Sequence, residues 1–79
     1  MWNECFEKIN YLFFEAQLNK ERYKEPFIQE NFKWILGREI VKKVILQRML
    51  VYENPMLYGI GVEVDDKYPM KIELWEKVE

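Results

Sequence analysis

Residues 27–50 read FIQENFKWILGREIVKKVILQRML, and what this stretch folds into decides the architecture of the whole chain. Ile28, Phe32, Ile35, Ile40, Val41, Val44, Ile45 and Met49, continued by Tyr52, occupy one broad sector at helical spacing. The spacing predicts a second helix from about Phe27 to Leu50, entered through Pro26, a residue suited to the first position of a helix. Gly37 falls inside it, where glycine costs about 1 kcal/mol relative to alanine. The expectation is a continuous helix bent at Gly37, with two helices divided near Gly37 as the alternative.

Upstream, Trp2, Cys5, Phe6, Ile9, Leu12, Phe13 and Ala16 recur at the spacing that lines one helix face, which predicts a first helix from Trp2 to about Lys24. Tyr11, Phe14 and Leu18 form a second stripe, so this helix is expected to be covered on more than one side. The polar run Asn19–Glu25, closed by Pro26, separates the two helices.

Downstream of Asn54-Pro55 the period changes to two. Tyr58, Ile60, Val62 and Val64 alternate along one strand, and Met70, Ile72 and Leu74 along another, with Asp65–Pro69 as the turn between them. A β-hairpin is predicted. The fold class is therefore α+β: two N-terminal helices packed on a C-terminal β-hairpin, in one small domain spanning residues 1–79.

The chain has no serine, threonine or histidine, which excludes nucleophile-and-base catalysis of the Ser-His-Asp kind and a phosphate loop ending in Gly-Lys-Ser/Thr. Cys5 is the single cysteine, so neither an internal disulfide nor a zinc cluster within one chain is available, and a reducing compartment is expected. Cys5 falls on the apolar stripe and reads as a small buried hydrophobe, while Asp65-Asp66 reads as turn chemistry in preference to a cation site. No enzyme, no cofactor and no metal is expected.

Charge is balanced, with 12 basic and 14 acidic residues and a net charge of -2, so the bulk electrostatics call for neither a polyanion nor a membrane. Apolar runs are too short for a membrane span. The expected location is the cytoplasm.

Three surfaces remain as candidates for recognition. Leu46 and Leu50 fall in the polar sector of the second helix beside Glu39, Lys42, Lys43 and Gln47, and either mark a patch for a protein partner or a second copy of the chain or are covered by the hairpin on that side. Trp75 either lies across Gly59 and Gly61 of the opposite strand or projects as an interface anchor. Arg38, Lys42, Lys43 and Arg48 supply the residues for a subordinate nucleic-acid alternative, although the helical wheel does not gather them on one face.

Residues 57–66, LYGIGVEVDD, followed by Tyr68-Pro69 and Lys71–Leu74, are similar to a hairpin segment of tailed-phage proteins found in the C-terminal part of some major capsid proteins. The likeness covers under a quarter of the chain and implies phage or prophage origin, with no functional residue carried over. Phe, Tyr, Met, Ile, Asn and Lys make up 35 of the 79 residues, which also suits an AT-rich gene of that kind. The function expected is that of a small protein-binding module, such as a phage-encoded inhibitor of a protein in the host cytoplasm. A nucleic-acid-associated regulator or a minor virion assembly protein is the alternative.

Overall fold

The computed structural model describes residues 2–46 and 56–77. In chain order they form helix α1 (Trp2–Arg22), a short 3-10 turn (Gln29–Asn31), strand β1 (Phe32–Gly37), helix α2 (Arg38–Leu46), and strands β2 (Met56–Leu57), β3 (Ile60–Asp65) and β4 (Ile72–Glu76). The α+β class holds, but the elements are arranged differently from the expectation.

Phe32–Gly37 is a strand and not part of a helix. It is central in a four-stranded sheet of order β2-β3-β1-β4, parallel to β3 and antiparallel to β4. Phe32, Trp34 and Leu36 alternate inward and are buried, as a half-covered strand requires. The chain turns helical directly after Gly37, where Ile40, Val41 and Val44 face the core. This segment carries the chain from β1 towards the parallel strand β3, and parallel neighbours need such a crossover.

Consequently the predicted hairpin is split. Both strands exist, yet β1 lies between them, with Trp34 flanked by Val62 on one side and Leu74 on the other. The connection from β3 to β4 steps over the end of β1, against Gly37. A Cβ there would stand 2.3 Å from the backbone of Tyr68 and Pro69. The same crossing hydrogen-bonds to both sides of the strand–helix junction: Gly37 N–H donates to Lys71 O at 2.8 Å, and Glu39 N–H donates to Pro69 O at 3.0 Å, satisfying one of the free donors at the start of α2.

The hairpin that does form joins β2 and β3 through Tyr58-Gly59, with Leu57 opposite Ile60. Both turn residues have positive φ, 55° and 73°, the condition for a two-residue turn matched to strand twist. Gln29 Nε2 donates to Tyr58 O at 2.8 Å, and the Tyr58 hydroxyl is hydrogen-bonded to Asn10 Oδ1. Phe13 packs on both Phe27 and Tyr58, and Phe27 stacks on Phe32, so aromatic rings tie α1, the linker, β1 and this turn together.

Both helices contribute to one core, Cys5 and Ile9 from α1 and Ile40, Val41 and Val44 from α2, joined by Phe32, Trp34, Leu36, Leu57, Ile60 and Ile72 of the sheet. Among the described residues the result is two layers, with helices on one face of the sheet and none on the other.

Candidate protein interface

With α2 beside α1 in the same layer, the outward side of α1 is left uncovered. Tyr11 is 61% exposed, Phe14 59% and Leu18 36%, so the second covered side expected for this helix is not there. At intervals of three and four residues the three side chains share one stripe. Glu4, Glu7, Glu15 and Glu21 are exposed along the same side of the helix, with Arg22 the one basic residue among them, and give the ridge a predominantly acidic rim.

The open sheet face has a different character. Side chains of Lys33, Ile35, Glu63, Asp65, Lys71, Glu73 and Trp75 surround a shallow depression of about 230 Å³. Glu63 and Glu73 flank Ile35 in register, and Ile35 is only 8% exposed although, among the described residues, no helix lies over it. Long charged side chains provide that cover, since their aliphatic stems pack while their heads stay wet. Lys71 Nζ meets Asp65 Oδ2 at 3.1 Å and Glu73 at 3.9 Å, and Lys33 lies 3.8 Å from Glu63.

Asp65 is the most constrained group here. Its carboxylate accepts from the Lys71 ammonium and from the backbone N–H groups of Lys67 and Tyr68, and these bonds, the Lys71 bond foremost, hold its pKa below the ordinary carboxylate value. In return, the hydrogen bond to Asp65 raises the pKa of Lys71. This is turn chemistry, with Asp65 closing the start of the β3–β4 connection.

A third surface is the cleft of about 400 Å³ between α1 and β4, lined by Leu12, Ala16, Lys20, Phe32, Leu74 and Glu76 among others. Lys20 is paired there with Glu76 and Glu25, and the hydrogen bond to Glu76 is the main cause of its raised pKa.

The residues singled out from sequence do not converge. Trp75 projects from the open face, 53% exposed, and donates from Nε1 to Glu73 Oε1 at 2.8 Å; it does not fill the space over the glycines, since around Gly61 nothing lies within 4 Å of a built Cβ. Arg38 is bonded to Asp66, Lys42 to Glu39 at 3.1 Å, and Lys43 is half-buried with Nζ 4.0 Å from Cys5 Sγ. These three lysine and arginine heads form no shared phosphate-facing surface. Leu46 ends α2, but its side chain, with Leu50 and Arg48, lies outside the described residues. The α1 stripe is legible in the sequence as residue types, but its exposure is not.

Among the described residues, no group of three or more Cys, Asp or Glu side chains is placed to hold a metal ion, and no helix is long and apolar enough to cross a membrane. No family model matches the chain, and neither a curated protein nor a solved structure matches it.

Proposed function

We propose that this chain is a small protein-binding module that acts stoichiometrically and without catalytic turnover, and that its recognition element is the outward face of α1. The observation that carries this reading is the exposed ridge Tyr11, Phe14 and Leu18 rimmed by glutamates. Large aromatic side chains left in water on a helix mark association surfaces, and helices bind through anchors at this spacing. The partner it fits is a protein with an apolar groove bordered by basic residues. The acidic rim weighs against nucleic acid, whose phosphates it repels.

Inhibition of a larger protein in the cytoplasm is the role that suits such a module, and a phage or prophage origin makes a host protein the target. The absence of serine, threonine and histidine supports binding over turnover.

Affinity capture with the purified chain tests this. The wild type should retain a defined protein at one-to-one stoichiometry, and Tyr11→Ala with Phe14→Ala should abolish retention, since buried aromatic anchors contribute about 2 kcal/mol or more each. Both side chains point away from the core, so circular dichroism should be unchanged. Equal capture by wild type and variant would remove the α1 ridge from consideration.

A further inference from the structure

Among the described residues β4 is an edge strand, paired only with β1. The bonds Gly37 N–H to Lys71 O (2.8 Å) and Lys77 N–H to Asn31 O (2.7 Å) set the phase of that pairing. In an antiparallel ladder, alternate residues exchange bonds with the same neighbour, so the Lys71 carbonyl, the backbone groups of Glu73 and Trp75 and the Lys77 N–H are directed to the β1 side, while Lys71 N–H donates to Tyr68 O at 3.1 Å. The N–H and C=O groups of Ile72, Leu74 and Glu76 point away from the sheet, and none has a hydrogen-bond partner among the described residues. Ile72–Glu76 also lacks the proline that commonly blunts an edge.

We infer that β4 pairs with β4 of a second copy of this chain, antiparallel, about a twofold axis at Trp75. The choice of occupant and register rests on charge and on strand length, since an axis at Ile72 also opposes Lys71 to Glu73 but engages only the first half of Ile72–Glu76. Residues directly opposite in such a pair share a face, so the open face contributes Lys71, Glu73, Trp75 and Lys77. An axis at Glu73 sets that carboxylate against itself, an axis at Leu74 sets Lys71 against Lys77, and an axis at Glu76 sets Glu76 against itself. The axis at Trp75 places Glu73 opposite Lys77 of the other copy, twice, and Trp75 opposite Trp75.

These are non-hydrogen-bonded pairs, in which side chains come closest. The half-exposed indole is thereby covered on one side. Lys77 Nζ now meets the Glu30 carbonyl at 3.1 Å and has further donors to offer. An axis normal to the sheet leaves both α1 helices in the same layer, so the dimer displays two ridges. The inference uses the sheet edge and stands independently of the reading of α1.

Sedimentation velocity from about 10 μM to about 1 mM should show a mass rising from one chain towards two, because two short strands bury less than a stable interface does. Glu73→Lys and Lys77→Glu should each raise the dissociation constant by about tenfold, by turning two attractive pairs into repulsive ones. The double variant should return to the wild-type value. Within one chain the two positions lie about 13 Å apart along an extended strand, out of contact, so only pairing between copies yields that rescue.

Glu76→Pro removes an outward N–H and leaves the ladder with β1 intact, so it should abolish the dimer with circular dichroism unchanged. A single-chain mass at every concentration overturns the inference, as does a dimer that the reversals leave intact or that the double variant fails to restore. Loss of dimer with Tyr11→Ala and Phe14→Ala alone would assign the contact to α1 instead.

Discussion

Trp34, fully buried at the centre of β1, donates its indole N–H to the carbonyl oxygen of Leu57 at 3.0 Å, so the central strand is clasped to β2 across the intervening strand β3. β2 is only two residues long and has little pairing of its own to hold it. Trp34→Phe, which keeps an aromatic ring but loses the bond and part of the volume, should destabilise the fold by about 1–3 kcal/mol in urea titrations. Trp34→Ala should cost about 3–5 kcal/mol, comparable with the whole stability of a domain this small, and leave the chain largely unfolded.

Gly37 offers a test whose sign separates strand from helix. Inside an exposed helix, glycine to alanine stabilises by about 1 kcal/mol. Here a Cβ would meet the Tyr68 and Pro69 backbone at 2.3 Å, and backbone cannot swing aside as a side chain tip does. Gly37→Ala should therefore destabilise by at least about 2 kcal/mol. Gly61→Ala, where a Cβ meets nothing within 4 Å, is the control and should be neutral or stabilising by up to about 1 kcal/mol.

That glycine also shows where the sequence stops being informative. Helix α1 was legible because its apolar stripe runs unbroken through Cys5, Ile9, Leu12 and Ala16. β3 and β4 were legible by alternation. Their pairing was not, because alternation fixes which face a strand buries and says nothing about its neighbour. β1 was hidden since Ile28, Phe32 and Ile35 keep helical spacing while Phe32, Trp34 and Leu36 keep strand spacing, and a short apolar run satisfies both. The exposure of Tyr11 and Phe14 depends on α2 lying beside α1 and not over it, a tertiary fact with no local signature.

The β2–β3 turn holds two residues at positive φ, only one of them glycine. Tyr58 is kept at φ 55° by its ring packing on Phe13, its hydroxyl bonded to Asn10 and its carbonyl bonded to Gln29. Gly59→Ala adds strain at φ 73° and brings a Cβ to 2.7 Å from Gln29 Nε2, so a loss of about 1–2 kcal/mol is expected. Combining it with Gln29→Ala relieves the contact but not the strain. A double-mutant cycle by urea denaturation should therefore show non-additive losses.

The Asp65–Lys71 pair predicts how stability changes with pH at both extremes. Asp65 is held below its ordinary value of 3.8, first by the Lys71 bond. Between the two values the unfolded chain binds more protons than the folded one, so stability rises with pH there. Its contribution is complete above the ordinary value and disappears as pH falls through the lowered one. Lys71 is raised above 10.5, chiefly by the same bond, so its contribution is complete below that value and is lost as pH rises through the raised one. Urea midpoints should be flat through neutrality and fall both below about pH 4 and above about pH 10. Asp65→Asn should lower the neutral plateau and flatten both limbs, because it removes the charge to which Lys71 responds and the carboxylate that anchors the β3–β4 connection over Gly37. Limbs unchanged in that variant would place the pH dependence elsewhere, with the Lys20–Glu76 pair as the next group to replace.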